Sequence, residues 1–320
     1  MEFHKDILKL DGKSEVERIC EFIRQELRDV KRDGTVVGLS GGIDSALSAA
    51  LCVKSLGKEK VFGLILPEKE SNPISAEYAA KHAHQLGIET ETIDITPTLE
   101  AFGTYKKRDD VIREAFPDYD GRSRSKITLP ADLLSRDSFN FFTLKLEDGK
   151  GNVRSARLNK KMLNAIVAAT DTKQRTRMMH LYYYAEKKNY IVCGTTNKPE
   201  LIEGLFVKYG DGGVDIEPLS HLYKTQVYQL SEYLGVIPEI IKRTPSPDTW
   251  SFEVSDEEFY FRMPYNILDL LLFAWEYNVP TERVCEVMDL TAEQVKRAMR
   301  DFNSKYNATR HLRRLPPTLE

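Results

Sequence analysis

The chain has 320 residues, 41% of them hydrophobic and 30% charged, with a formal net charge of −3. That length buries one large α/β core or two modest ones, and the near-neutral charge argues against nucleic acid as an obligatory partner, because no cationic excess exists to neutralise phosphates. No run of about 18 apolar residues suggests a membrane-crossing helix, and the charged opening MEFHKDILKLDGK lacks a signal-peptide core.

Residues 14–31 place Val16, Ile19, Cys20, Ile23, Leu27 and Val30 on one helical face, with Ser14 as the expected N-cap. The stretch TVVGLSGGIDSALSAA (35–50) organises the rest of the chain. Val36, Val37 and Leu39 read as a buried strand, broken at Ser40-Gly41-Gly42 and resumed as a helix through Ala46, Leu47, Ala49 and Ala50. Such a turn leaves the first N–H groups of the helix unpaired at the positive end of its dipole, which suits a phosphate. Ser40 and Ser45 add hydroxyls, and Asp44 puts a carboxylate where phosphates carry a divalent metal. Neither GxxxxGK[ST] nor GxGxxG is present.

VFGLIL (61–66) predicts a second buried strand, 73–86 a helix stopped by Gly87, and ETETIDI (89–95) a third strand. This alternation implies a doubly wound, mostly parallel sheet that binds ligands at the carboxyl ends of its strands. From 104 to 161 the rhythm is lost. The segment is polar and mixed in charge, and FNFFTLKLEDGKGNVRSARL predicts a β-hairpin turning at Asp148-Gly149. It reads as an insertion: a lid, an oligomer contact or a solvated loop.

Residues 171–188 predict a helix with Arg175 near its start, and YIVCGT (190–195) a fourth strand ending on Thr195. KYGDGGVD supplies Lys208, Asp211 and Asp215, and a helix over 224–234 opens on Lys224, whose charge opposes the dipole and calls for an anion. TPSPDTW (244–250) is a proline-punctuated loop, and the remainder is helical, with Thr281 and Thr291 as expected caps. The last two helices superficially resemble a helix-turn-helix, but the charge disfavours a DNA-binding sensor. Cys20, Cys52, Cys193 and Cys285 lack CxxC spacing and read as buried thiols of a cytosolic protein, and the six histidines form no metal-ligand set.

SGGIDS resembles the pyrophosphate loop of the N-type ATP pyrophosphatases. With RTRMM, GTTNKPE, KYGDGG and YKTQV added, the chain resembles the ammonia-dependent NAD synthetases over 14–103 and 171–250 and briefly at HLRRLPP, weakly over 255–305, and not over 104–161. The resemblance implies a single domain over 1–320 with an adenine nucleotide alpha-hydrolase-like, Rossmann-like fold, an insertion at 104–161 and a helical region at 255–320. It implies a cytoplasmic homodimer that converts deamido-NAD to NAD with ATP as co-substrate, Mg2+ and ammonia, through an acyl adenylate. With no glutaminase segment expected, ammonia comes free or from a separate glutaminase.

Carried over by position, Ser40, Gly41, Gly42, Asp44, Ser45, Thr195, Lys224 and Ser246 hold ATP, with Lys224 on the departing pyrophosphate. Asp44 and Glu200 ligate Mg2+, and Arg175, Lys208, Asp215 and His311 touch deamido-NAD. Asp211, beside two glycines, is the expected acceptor of a proton from ammonium. Where the resemblance implies His-Lys before the Arg-Arg/Pro-Pro tail, this chain has His311-Leu312. Arg310, Arg313 or Arg314 is the expected substitute for that lysine, and a related ligase acting on another carboxylate is the alternative.

Overall fold

The computed structural model describes residues 2–135 and 141–319. In chain order it begins with α1 (Gly12–Val30), β1 (Gly34–Gly38), α2 (Ile43–Leu56), β2 (Val61–Ile65), α3 (Pro73–Leu86) and β3 (Glu89–Thr92). Two helices follow, α4 (Thr96–Phe102) and α5 (Thr104–Ala115), then β4 (Arg124–Thr128), β5 (Thr143–Glu147) and β6 (Val153–Arg157). The 29-residue α6 (Lys160–Lys188) leads to β7 (Tyr190–Cys193), α7 (Lys198–Glu203), α8 (Lys224–Tyr233) and the short α9 (Pro238–Ile241). Helices α10 (Tyr265–Glu276), α11 (Thr281–Met288), α12 (Ala292–Ala308) and α13 (Arg310–Arg313) close the chain.

Strands β3, β2, β1 and β7 form one parallel sheet in that order. Alternation along β1 sends Val37 into a core with α1, α2, α3 and α8, and Val36 into a second core with α4, α5 and the C-terminal half of α6. The sheet is therefore covered on both faces, as a parallel sheet requires. The carboxyl end of β1, flanked by β2 and β7, opens on the Ser40-Gly41-Gly42 turn. A third apolar cluster joins α10, α11 and α12 to Phe3 and Leu8.

The predicted hairpin is present as β5–β6, and β4 pairs with β5 to make an antiparallel three-stranded sheet. Residues 139–140 of the hairpin stretch and 136–138 of the polar stretch before it lie outside the described residues. This sheet is packed rather than solvated: Ile127, Leu144 and Leu146 are buried against Met162 and Ile166 of α6 and against Trp250. Residues 104–115, which lie within the stretch where the sequence rhythm is lost, form α5, whose Tyr105 reaches the second core.

The structure moves three boundaries. Asp11, not Ser14, caps α1 by accepting from the Lys13 and Ser14 N–H groups. Thr291 caps α12 as expected, but Thr281 is the first residue of α11 and Pro280 precedes it as the N-cap. Helix α6 begins at Lys160, not at 171, with Asn159 as its cap. Its buried face changes partner midway, from the added sheet (Met162, Ile166) to the main one (Leu181, Tyr184, Ala185), with the buried Lys173 between. No single apolar stripe runs its length, so periodicity alone stops at the polar Asp171-Thr172-Lys173.

Candidate active site

A cavity of about 690 Å3 lies over the carboxyl ends of β1, β2 and β7. Its floor is the turn between β1 and α2. Gly41 adopts φ +74°, and a Cβ there would fall 2.2 Å from the Ser75 carbonyl oxygen, so no larger residue fits. The Ser40 hydroxyl accepts from the Gly42 N–H at 3.2 Å and lies 3.1 Å from the Ser45 hydroxyl, which donates to the Gly42 carbonyl at 3.0 Å. Among the described residues no side chain caps the start of α2. Its first N–H groups thus face the cavity at the positive end of the dipole, ready for an anion.

Three elements bring charge to this floor. Lys224, at the start of α8, is buried and donates to Asp44 Oδ2 at 2.6 Å, with Glu200 Oε1 at 3.9 Å. Asn197, the N-cap of α7, donates its amide to Asp44 Oδ1 at 3.0 Å, and its own N–H goes to Glu200 Oε2 at 3.1 Å. Asp256 approaches from the loop before α10, its carboxylate held by the Tyr265 hydroxyl at 2.9 Å. Burial opposes the Lys224 charge, but Asp44, Glu200 and Asp256 outweigh it and lift the ammonium above its ordinary value. Burial and the neighbouring Asp44 push Glu200 well up, and burial raises Asp256. Three carboxylates around one ammonium leave a surplus of negative charge.

The hard oxygens of Asp44 and Glu200 beside a phosphate-binding turn fit Mg2+, which characteristically takes one or two carboxylates together with substrate phosphates and water. Among the described residues no group of three or more side chains of metal-binding type is arranged as a complete cage.

Of the residues singled out from sequence, Ser40, Gly42, Asp44, Ser45, Thr195, Glu200, Lys224 and Ser246 line this cavity, as do Arg175, Lys208, Asp211 and His311. Gly41 shapes the turn from behind. Asp215 is not brought to the cavity: its carboxylate accepts from the Val192 N–H at 2.7 Å and the Tyr182 hydroxyl at 3.1 Å, at the end of β7. Lys208 does not pair with Asp211. Its ammonium donates to the His311 and Arg314 carbonyls, 2.9 Å each, tying the last helical turn over the cavity mouth. Arg313 is likewise committed, donating to the Leu201 and Ile202 carbonyls of α7 and the Thr309 hydroxyl. Asp211 accepts from the Val207 N–H at 2.9 Å, and burial raises its carboxyl to about 6.

Four contributors were not singled out from the sequence. Arg243 donates to Ser75 Oγ at 2.8 Å and lines the cavity by the phosphate turn. Arg177 lines it too, anchored on the Leu66 carbonyl at 3.1 Å. Asp171, raised to about 6 by burial, faces the cavity from α6 with Arg175 3.9 Å away. Asp256 is the fourth. Arg177 at least lies inside the RTRMM motif, whereas Asp256 lies in SFEVSDEEFYF, which has no periodic pattern.

Loop 244–250 is fastened on both sides. Asp248 accepts from the Asn72 N–H at 3.2 Å and Ser75 Oγ at 2.7 Å, while buried Lys173 donates to the Thr249 carbonyl and to Glu68 and Glu70, 2.8 Å each.

A doubly wound parallel sheet with a Ser-Gly-Gly phosphate turn, a buried lysine and paired carboxylates at its strand ends defines an adenine nucleotide alpha-hydrolase-like enzyme, one built to handle a triphosphate. Within that class the chain belongs to the NAD synthase family, which it matches over residues 15–130 and 138–316. The match runs through most of 104–161, where the short motifs show no resemblance. The NH(3)-dependent NAD(+) synthetase of Rhizobium meliloti (strain 1021) is 43% identical over 310 residues, 97% of this chain and 92% of that protein. Two solved structures, each 26% identical, superpose over 97% of the chain. They are an NMN synthetase from Francisella tularensis (TM-score 0.68, 99% of that chain) and an NH3-dependent NAD synthetase from Campylobacter jejuni (TM-score 0.64, 100% of that chain). Among the described residues no helix is long and apolar enough to cross a membrane.

Proposed function

We propose that this protein makes NAD from deamido-NAD and ammonia at the expense of ATP, releasing AMP and pyrophosphate. The observation that carries the reading is the Lys224–Asp44–Glu200 group set on a phosphate turn, in one cavity with Arg175, Asp211 and His311. The family relationship supports the same acceptor.

The nicotinate carboxylate is unreactive to ammonia because oxide would have to leave. Its oxygen attacks the α-phosphorus of ATP, the bond to the bridging oxygen breaks, and pyrophosphate departs. Ammonia then attacks the acyl carbon and AMP leaves with the carboxylate oxygen. The turn at Ser40-Gly41-Gly42 with Ser45 holds the phosphates through backbone N–H and hydroxyl groups, and Thr195 and Ser246 line the nucleotide side. Lys224 supplies a fixed positive charge to the leaving pyrophosphate, in a buried site where it acts most strongly. Mg2+ held by Asp44 and Glu200 would neutralise phosphate charge alongside it. Asp211, with a carboxyl near 6, is ionised at neutral pH and accepts the proton released as ammonium becomes amide. Arg175 and His311 face the acceptor, and Lys208 acts through the tail it holds. The protein works as a cytoplasmic homodimer supplied with free ammonia or with ammonia from a separate glutaminase.

Incubation with ATP, Mg2+, ammonium and deamido-NAD should yield AMP and NAD in equal amounts; AMP without NAD would overturn the assignment. Two observations favour a second acceptor: Leu312 stands where a lysine was expected, and the likeness to an NMN synthetase is as good as that to a NAD synthetase. Nicotinate mononucleotide offered in place of deamido-NAD separates the two.

A further inference from the structure

Helix α10 is strongly apolar, and Leu268, Leu271 and Leu272 anchor it in the cluster it shares with α11 and α12. Three polar side chains, Tyr265, Asp269 and Glu276, lie along one stripe of it. At 3.6 residues per turn they fall within about 40° of one another around the axis. Asp269 is fully buried and Glu276 half-buried. A carboxylate placed in an apolar helix in this way is costly unless partners meet it.

Each of the three meets a different part of the charged floor. The Tyr265 hydroxyl donates to Asp256. Asp269 Oδ2 accepts from the Thr225 N–H at 2.7 Å, in the first turn of α8, and the Lys224 N–H adds to its stabilisation. Burial raises this carboxyl to about 6, so it is ionised at neutral pH. Lysine at the head of a helix opposes the dipole; Asp269 supplies, from another helix, the negative charge that a helix start ordinarily takes from its own cap. Glu276 accepts from Lys198 Nζ with both oxygens, 2.8 Å each, and from the Tyr223 hydroxyl. Lys198 opens α7 two residues before Glu200, and Tyr223 is the N-cap of α8. The Lys198 N–H also donates to the Leu222 carbonyl at 2.9 Å, which joins the two helix starts.

Asp44 comes from α2, whereas Glu200 and Lys224 come from α7 and α8, so three helix starts must be held in mutual register. Helix α7 has six residues, of which Pro199 and Glu203 are buried, and packing alone gives it little purchase. Neither Asp269 nor Glu276 lines the cavity. We propose that both are positioning residues for the departure of pyrophosphate: from the anchored α10 they fix the starts of α8 and α7, and so hold the Lys224 ammonium and the Glu200 carboxylate against Asp44. This rests on the proposed role of Lys224 at the leaving group.

The test uses Asp269→Asn, which keeps one acceptor oxygen but removes the charge, and Glu276→Gln, a milder change at a half-buried position. Thermal unfolding is recorded first, and ATP–pyrophosphate exchange is then measured with deamido-NAD and Mg2+ in the absence of ammonium. The maximal exchange rate is expected to fall about 10- to 100-fold in both variants, while KM for ATP and for deamido-NAD stays within about twofold. Lys224→Met supplies the decisive comparison. If Asp269 acts through Lys224, Asp269→Asn adds nothing to the loss already caused by Lys224→Met. Should Asp269→Asn fail to fold, Glu276→Gln takes its place in that comparison. Folded variants that exchange at the wild-type rate overturn the proposal, as do losses that multiply with that of Lys224→Met. A rise in both KM values at an unchanged maximal rate also overturns it, by assigning the two carboxylates to general packing. A wild type that exchanges no pyrophosphate with deamido-NAD removes the function and the alignment together, whereas unchanged variants beside an active wild type remove the alignment alone.

Discussion

Replacing Lys224 with methionine tests the centre of the site most severely. The ammonium is buried, 2.6 Å from Asp44 and 3.9 Å from Glu200, with Asp256 also contributing to its charge. Methionine fills a similar volume but leaves three carboxylates without a counter-charge, and breaking a buried pair in this way costs about 3–5 kcal/mol. With an unfolding entropy of about 2.1 cal/mol/K per residue over 320 residues, that cost lowers Tm by roughly 4–7 °C. Glu200, already pushed up by burial and Asp44, relieves part of it by taking a proton, so the deficit should shrink as pH is lowered. Loss of the fixed charge on pyrophosphate should slow its release about 10²- to 10³-fold. Differential scanning calorimetry across pH and a coupled pyrophosphate assay read the two effects separately. A Lys224→Met protein that melts within a degree of wild type at pH 8 and still releases pyrophosphate at a comparable rate would show that this ammonium neither balances the carboxylates nor serves the leaving group.

Gly41→Ala puts a Cβ against the Ser75 carbonyl at a positive φ, so ATP protection against thermal unfolding should vanish; retained protection would mean the phosphates lie elsewhere. Asp211→Asn keeps the Val207 hydrogen bond but cannot take a proton, so ATP–pyrophosphate exchange should persist while NAD formation falls, and equal loss of both would remove the base role. The same substitution has a stability signature. Because burial raises this carboxyl from 3.8 to about 6, the wild type loses stability as pH climbs through that interval, on the order of 3 kcal/mol in all. The asparagine variant should unfold without that slope. Lys208→Met releases the His311 and Arg314 carbonyls, so the tail after Thr309 should become protease-sensitive and the acceptor KM should rise; an unchanged digestion pattern would show that the tail is held by Arg313 alone.

The phosphate turn was legible because its chemistry is local: glycine torsions, two hydroxyls and a helix start lie within six residues. Glu200 came only through resemblance, and Lys224 stood out only as a cation against a helix dipole, since nothing in their own stretches says that α7 and α8 converge on Asp44. The parallel sheet was readable because buried strands alternate with helices, and β3 was visible although all four of its residues are exposed. Asp256 and Asp171 were not readable, because each reaches the cavity through tertiary placement rather than periodicity. Asp256 sits before a π-type turn at Glu257–Phe261, a geometry no apolar pattern announces. Lys208, carried over by resemblance, does line the cavity, but its ammonium is held by the His311 and Arg314 carbonyls, a tie to the chain's own tail that no local pattern announces.

Helix α6 also acts as a ruler. It is one unbroken rod whose two halves dock on different sheets, so the separation between its ends is fixed by the count of turns. Adding or removing a single residue in the middle would rotate one half by about 100° relative to the other and turn its docking face away from its sheet. Relatives that differ in the reach between the two sheets should therefore differ by steps close to whole turns, about three, four or seven residues at a time, rather than by gradual lengthening.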